Sequence, residues 1–127
     1  EEAKNSVELS AEKKALKIAE ILSNKKAKDI EVLDIKNVSV LSDYFVICSG
    51  TSATQVKALA DEVEEKMLEL GYEPSHKEGY STASWILLDY SDVVVHIFHY
   101  EARLFYNLER LWSDAQYVDI EYITGRA

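Results

Sequence analysis

The sequence predicts one α/β domain in which a mixed β-sheet is flanked by helices. Its 127 residues, with one proline and four glycines, suit a single compact domain with one hydrophobic core. Hydrophobic residues make up 47% of the chain and charged residues 29%, which is typical of globular proteins. Helical and β-branched patterns follow one another in the order helix, strand, strand, helix, strand, strand, helix. That order favours layers of helices packed on a mixed sheet.

The first part of the chain predicts a helix and two strands. The helix begins after Ser10, a residue type that caps helix N-termini. Its apolar residues recur at helical spacing, and they are Ala11, Ala15, Ile18 and Leu22. β-Branched residues then predict strands over Ile30–Ile35 and Tyr44–Ser49, separated by turn residues at 41–43.

Both ends of the second helix are marked in the sequence. Ser52 and Gln55 have the spacing of a capping box, and Gly71 stands where glycine commonly ends a helix. The acidic residues within 61–65 are interpreted as a solvated helix face. The predicted inner face consists of Val56, Leu59, Ala60, Val63, Met67 and Leu70.

A last helix is predicted to start near Glu101, with Arg103 on its polar side. Its predicted buried stripe consists of Leu104, Phe105, Leu108, Leu111 and Trp112. The predicted domain covers residues 10–117, between a flexible N-terminal segment at 1–9 and a C-terminal tail at 118–127.

A β-hairpin between the second and last helices carries the main functional information. Trp85–Tyr90 and Val93–Phe98 are predicted to pair around a tight turn, and an even loop places odd positions of the first strand beside even positions of the second. One face is almost wholly apolar and is expected in the core: Ile86, Leu88, Tyr90, Val93, Val95 and Ile97. The other face is mixed: Trp85, Leu87, Asp89, Val94, His96 and Phe98.

Two interpretations of the mixed face are consistent with the sequence. Large apolar side chains beside a carboxylate and an imidazole resemble the centre of a recognition surface. Alternatively, helices cover this face as well, and His96 is a core histidine with satisfied hydrogen bonds.

The charge of the chain bears on its partners. Fourteen Lys and Arg against 23 Asp and Glu give a formal net charge of −9. Such a field repels phosphate backbones and anionic lipids and attracts a basic protein surface, so neither a membrane nor a sequence-specific nucleic acid is expected as a partner. No apolar run approaches the ~20 residues that span a bilayer.

Cysteine usage and the N-terminus predict the compartment. Cys48 is the one cysteine and lies in an apolar stretch, so it is interpreted as a buried thiol in a reducing compartment. The first residues lack the basic, apolar pattern of a secretory leader, and a cytoplasmic location is expected.

Metal binding is tested by two pairs of ligand-type residues. His96 and His99 are three residues apart, as are Asp89 and Asp92. On a strand this spacing directs side chains to opposite faces, and the sequence offers no convergent third ligand. No metal is therefore expected, and the two aspartates are predicted to flank the hairpin turn.

A phosphate site is the remaining alternative. Residues 50–52 (Gly-Thr-Ser) lie between a strand and a helix N-terminus, where backbone N–H groups can hold phosphate. A nucleotidyltransferase-like nucleotide-binding protein or enzyme is therefore the alternative function. Capping by Ser52 explains the same residues without a ligand. Because no Asp-x-Asp pair occurs in a strand to hold divalent metal, neither a cofactor nor catalysis is expected.

Between Ser42 and Trp112 the chain resembles the ribosomal silencing factor family, also called Iojap-like. The resemblance is carried by Ser42-Asp43-Tyr44-Phe45-Val46-Ile47, Gly50-Thr51-Ser52, residues 79–85, Trp85-Ile86-Leu87-Leu88-Asp89-Tyr90-Ser91-Asp92-Val93-Val94-Val95-His96-Ile97-Phe98, Arg103, Tyr106, Leu108-Glu109 and Leu111-Trp112. Ser91 departs from the pattern, because glycine is frequent there in the family.

The resemblance implies a fold related to nucleotidyltransferases without their working active site. It also implies a protein that binds the large ribosomal subunit through ribosomal protein L-fourteen and blocks joining of the small subunit, which lowers translation when nutrients are scarce. Organelle relatives assist large-subunit assembly instead, and a homodimer is also implied. The residues expected to form the docking patch are Tyr80, Trp85, Leu87, Asp89, Tyr90, Asp92 and His96.

Overall fold

Six strands form one mixed β-sheet in a computed structural model that describes residues 9–106, 110 and 114–125. The strands are β1 (Lys28–Asp34), β2 (Tyr44–Gly50), β3 (His76–Glu78), β4 (Trp85–Asp89), β5 (Val93–His99) and β6 (Gln116–Val118). Their order across the sheet is β3-β4-β5-β2-β1-β6. Strands β2 and β5 are parallel, and the other neighbouring strands are antiparallel. The predicted mixed sheet is confirmed.

The described helices lie on both faces of this sheet. They are α1 (Ala11–Asn24), α2 (Ala53–Glu69), α3 (Tyr100–Tyr106) and α4 (Glu121–Thr124). Helices α1 and α2 contact each other and the central strands, and α4 contacts α1. Helix α3 contacts β5 and β2, and its Ala102 packs on the opposite face of the sheet.

Side-chain caps confirm both predicted helix starts. The Ser10 hydroxyl accepts a hydrogen bond from the Lys13 backbone N–H at 3.2 Å, and the Ser52 hydroxyl accepts one from the Gln55 N–H at 3.1 Å. These bonds satisfy donors that have no partner within the helix. Gly71 follows α2 with φ of 94°, a left-handed conformation that glycine adopts without steric penalty.

The larger apolar core lies between one face of the sheet and helices α1 and α2. It contains all six hairpin residues predicted for the core face, namely Ile86, Leu88, Tyr90, Val93, Val95 and Ile97. Cys48 is also fully buried there, and burial raises the pKa of its thiol to about 12. The thiol is therefore protonated. Leu70, predicted for the inner face of α2, is instead 45% exposed because it follows the last helical residue.

A smaller apolar cluster occupies the opposite face of the sheet. Its buried members are Leu33, Ile35, Phe45, Ile47 and Phe98. Trp85 and Val94 of the hairpin pack against it and are partly buried. This face is therefore covered at the centre of the sheet and partly exposed at β4.

Regular structure continues beyond residue 117, where the sequence predicts the domain to end. Val118 of β6 pairs with Val32 of β1, and Ile120, just before α4, is only 4% exposed. Strands β3 and β6 have three residues each and mostly exposed side chains. Neither has the apolar alternation that identifies a strand in a sequence, and pairing with a neighbouring strand defines them instead.

The last predicted helix begins at Tyr100, one residue before the expected Glu101. The prediction that Leu104 belongs to its buried stripe is wrong, because this side chain is 79% exposed. The rest of that stripe lies outside the described residues: the Phe105 side chain, Leu108, Leu111 and Trp112. Residues 1–8 of the predicted flexible segment also lie outside them.

Gly79, just before the hairpin, is expected to tolerate no side chain. It has φ of 93°, and an added Cβ would lie 2.0 Å from the Trp85 carbonyl oxygen. We expect Gly79→Ala to lower the free energy of unfolding by about 3 kcal/mol, through the left-handed backbone and the clash together. Gly71→Ala is the matched control, because φ is 94° and a Cβ there meets nothing within 4 Å. Its expected loss is about 1 kcal/mol. Equal losses in urea denaturation would contradict the clash.

Candidate partner-binding site on the hairpin

The hairpin places odd positions of β4 beside even positions of β5, as predicted. Trp85 pairs with Phe98, Leu87 with His96 and Asp89 with Val94, so these six residues share one face. The prediction of which residues share each face is therefore confirmed.

The hairpin turn uses the predicted aspartate chemistry. Asp89 Oδ1 accepts a hydrogen bond from the Ser91 N–H at 2.8 Å, and the Tyr90 N–H donates to the Val93 carbonyl at 2.8 Å. Ser91 has φ of 75°, where a side chain is unfavourable. Glycine adopts this left-handed conformation most readily, and serine adopts it in this chain.

Trp85 is held against the hairpin by two neighbours on β5. Its indole Nε1–H donates to His96 Nδ1 at 3.1 Å. Its ring stacks on Phe98 with a centroid distance of 4.9 Å. The residue is nevertheless partly exposed. This end of β4 therefore presents an oriented aromatic ring.

His96 lies beneath this ring, between Trp85 and Phe45. It is only 4% exposed, and its ring meets that of Phe45 edge to face at 4.5 Å. Burial lowers the pKa of His96 to about 4, so the imidazole is neutral near pH 7. Because Nδ1 accepts the indole hydrogen bond, the ring proton resides on Nε2. Nε2 has no hydrogen-bond partner among the residues that the structure describes.

The mixed face thus combines the two interpretations that the sequence left open. His96 and Phe98 are buried, as in a covered sheet, although one imidazole nitrogen has no hydrogen-bond partner within the described part of the chain. Trp85, Leu87 and Asp89 are partly exposed, as in a recognition surface. The accessible part of the face is therefore the β4 row together with Val94 of β5.

Strand β3 adds acidic character beside this row. Glu78 pairs with Leu87 and His76 with Asp89, so both β3 side chains lie on the same face as the β4 residues. His76 Nε2 lies 2.5 Å from the Glu78 carboxylate. Both β3 residues are exposed. The surface at this edge of the sheet is consequently apolar along β4 and contains carboxylates from two strands.

Tyr80, predicted for the patch, faces α2 instead. Its hydroxyl donates to Glu64 at 2.7 Å and to Asp61 at 3.1 Å. Partial burial, together with these two carboxylates, raises the pKa of Tyr80 well above its ordinary value. Tyr80 therefore contributes to the acidic side of α2, away from the Trp85 face.

Tyr90 and Asp92 also lie apart from the Trp85 face. Tyr90 is 6% exposed within the larger core, and burial raises the pKa of its hydroxyl. Asp92 accepts from Lys14 Nζ of α1 at 2.9 Å. The same Nζ lies 4.5 Å from the ring centroid of Tyr72. The structure thus brings four of the seven predicted residues onto one face, whereas Tyr80 contacts α2, Tyr90 enters the core and Asp92 binds α1.

Arg103 is a structural anchor that the sequence pattern placed on a polar helix face. Its guanidinium donates to the Asp29 carbonyl at 2.6 Å, to the Ser49 hydroxyl at 2.9 Å and to Glu31 at 3.1 Å. These bonds join α3 to β1 and β2. The helical pattern could not reveal this role, because the acceptors come from distant parts of the chain.

Residues 50–52 form a capped helix start rather than an open backbone cradle. The Thr51 N–H donates to Gln55 Oε1 at 2.6 Å, and the Gln55 N–H donates to Ser52. A Cβ on Gly50 would approach the Val56 side chain to 3.0 Å. Side chains of the same segment therefore occupy two of the N–H donors that a phosphate would need.

The described residues also bear on metal binding and on membrane insertion. Within residues 9–106, 110 and 114–125, no group of three His, Cys, Asp or Glu side chains has an arrangement that could hold a metal ion. None of the helices in that part of the chain is both long enough and apolar enough to cross a membrane.

Known proteins are similar to this chain in sequence and in fold. A family model described as "Ribosomal silencing factor during starvation" matches residues 8–127. The chain belongs to the ribosomal silencing factor family. Ribosomal silencing factor RsfS of Bacillus subtilis is 44% identical over 112 residues, which cover 87% of this chain and 95% of that protein.

Two crystal structures extend the ribosomal silencing factor match to the fold. One, of a protein from Chromobacterium violaceum, aligns with a TM-score of 0.80 at 34% identity, over 83% of this chain and 88% of that one. Another, from Bacillus halodurans, aligns with a TM-score of 0.72 at 42% identity, over 82% of this chain and 95% of that one. The predicted family and fold class are confirmed.

The buried imidazole makes stability depend on pH. The native pKa of His96 is about 4 and its ordinary pKa is 6.5, so at a pH between these values His96 is protonated only in the unfolded chain. The contribution of neutral His96 to stability is therefore fully present above pH 6.5 and is lost as the pH falls toward 4. We expect the free energy of unfolding to fall by about 2 kcal/mol between pH 7 and pH 5 through this group.

Urea denaturation of the wild type and of His96→Phe at both pH values measures this effect. The other two histidines are present in both proteins, so their contribution cancels. Identical pH dependence of the two proteins would contradict the assignment to His96.

Proposed function

We propose that this chain binds the large ribosomal subunit through ribosomal protein L-fourteen and sterically blocks joining of the small subunit. The docking surface is the partly exposed row of β4, formed by Trp85, Leu87 and Asp89. The observation that carries the proposal is this row on a member of the ribosomal silencing factor family. Repression of translation follows from exclusion alone and requires no catalytic step.

Charge supports a basic protein as the direct contact. The chain has a formal net charge of −9, and its carboxylates at Asp89 and Glu78 lie on the same face as the β4 row. Ribosomal proteins are surrounded by RNA, which this net charge repels. A positively charged protein surface is attracted and oriented, and the encounter is faster at low salt.

The apolar part of the row supplies the contact area. Trp85 and Leu87 lie two residues apart on β4, so both side chains are on the same face. Aromatic residues near the centre of an interface commonly contribute much of its binding free energy. Trp85 is therefore assigned as the anchor of the interface, and Asp89 as an acceptor for Lys or Arg of the partner.

Replacing Trp85 by Ala tests the anchor. We expect Trp85→Ala to weaken binding to purified large subunits by more than about 1 kcal/mol, because truncation removes the aromatic contact. Tyr122→Ala is the matched control, since this aromatic side chain is 74% exposed on α4, beyond the other face. Circular dichroism reports whether both variants remain folded. A folded Trp85→Ala protein with wild-type affinity would reject the assignment.

Asp89→Asn tests the charge without disturbing the turn. The amide oxygen retains an acceptor for the Ser91 N–H, which Asp89 now binds at 2.8 Å. Asp119→Asn is a close control, because Asp119 Oδ1 accepts from the Glu121 N–H at 3.0 Å in the same local pattern. We expect only Asp89→Asn to slow association with large subunits and to reduce its dependence on salt. Equal effects of the two variants would indicate a response to net charge alone.

A sedimentation gradient tests the biological outcome. Purified large and small subunits mixed with this protein at modest salt should sediment separately, and Trp85→Ala should restore their joining. Calorimetry with ATP and Mg²⁺ tests the nucleotide alternative. Affinity in the range of ~1 μM to 1 mM would support that alternative.

The same proposal includes a bacterial cytoplasmic location and a homodimer. A homodimer can use both of its docking rows only if the dimer interface leaves β4 accessible. Light scattering of the wild type and of the Trp85→Ala protein tests this arrangement. Loss of the dimer in the variant would mean that dimer and ribosome contacts overlap.

A further inference from the structure

We infer that His96 is a positioning residue for Trp85, and that its hydrogen bond makes the indole an apolar contact for a partner with an aliphatic side chain beside a Lys or Arg. This inference rests on the proposed docking role of the β4 row. It concerns what the surface recognises rather than whether the chain binds.

The indole has a single polar hydrogen, and that hydrogen is already used. Trp85 Nε1–H donates to His96 Nδ1 at 3.1 Å. An indole N–H can make one strong hydrogen bond, so it cannot also donate to a partner. Any part of the ring that a partner reaches is therefore carbon. A partner contacts it through dispersion and apolar burial, not through a carbonyl or carboxylate acceptor.

His96 is itself fixed by contacts beneath the partly exposed β4 row. It is 4% exposed, its ring lies 4.5 Å from that of Phe45, and it pairs with Ile47 of the parallel strand β2. Phe98, fully buried, supports the other side of the indole by stacking. Contacts with the central strands therefore fix the orientation of Trp85. Because His96 is buried, it cannot make the direct partner contact that the sequence predicted for it.

The carboxylates next to the ring select for a positively charged group on the partner. Leu87 continues the apolar surface, and Asp89 ends the row at the turn. Glu78 of β3 lies opposite Leu87 on the same face. An aliphatic side chain over Trp85 and Leu87, followed by a cation at Asp89, matches this order in both size and charge.

Two substitutions at position 96 separate hydrogen bonding from ring packing. Asn places an acceptor oxygen on Cγ, as His places Nδ1, whereas Phe retains a ring and removes the acceptor. In selectively labelled protein, the Trp85 indole N–H proton should exchange with solvent more slowly in the wild type than in His96→Phe. We expect His96→Asn to retain part of this protection. A Trp112→Phe variant identifies the Trp85 signal.

Binding to purified large subunits then tests the consequence for recognition. We expect His96→Phe to weaken binding about tenfold, as for coupled neighbours, and His96→Asn to weaken it less. In the Trp85→Phe background the indole N–H is absent. His96→Phe should therefore cause little further loss there. Losses that add independently, or wild-type affinity of His96→Phe with an unprotected indole, would overturn the inference.

The exchange measurement separates this inference from the proposed function. If Trp85→Ala retains wild-type affinity, the docking row is wrong, although slow indole exchange lost in His96→Phe still supports the positioning role. If indole exchange is equal in the wild type and His96→Phe, positioning by His96 is wrong even where Trp85→Ala abolishes binding. Normal folding of each variant is checked by circular dichroism.

Discussion

Parallel pairing of β2 and β5 is the constraint on which the rest of the molecule depends. All seven residues of β2 are buried, and each pairs in register with one residue of β5. Parallel neighbours require a long connection, and here α2, β3 and β4 form it. The pairing therefore fixes one strand of the hairpin at the centre of the sheet. The other strand, β4, lies nearer the sheet edge, where its side chains remain partly accessible.

This placement explains how one hairpin serves both stability and recognition. Its even positions on β4 enter the larger core, whereas Trp85, Leu87 and Asp89 face the opposite side. The same face changes from buried at His96 and Phe98 of β5 to partly exposed at β4. His96 lies at that boundary and connects the two regions. The buried imidazole of His96 accepts the indole hydrogen bond through Nδ1. This bond favours a single arrangement of the aromatic side chains around it.

The hairpin faces were predictable because strand alternation has a strict period of two. The helix caps at Ser10 and Ser52 were predictable because the capping group is local in the sequence. Strands β3 and β6 were not, since three mostly exposed residues become a strand only through pairing with a distant segment. The complete site was also beyond the sequence. Strand alternation already places Tyr90 on the core side, where the structure buries it, whereas the contact of Asp92 with Lys14 joins distant segments and is not encoded by spacing.

The contacts of Asp92 have a mechanical consequence for the hairpin. Its carbonyl accepts from the N–H groups of Asp43 and Tyr44, while its carboxylate binds Lys14. The turn is thus attached to the start of β2 and to α1 at once. A surface braced in this way is preorganised, so little conformational entropy is lost when it meets another molecule. Strand β4 is then expected to dock as a rigid surface, and most of the conformational change on binding is expected in the partner.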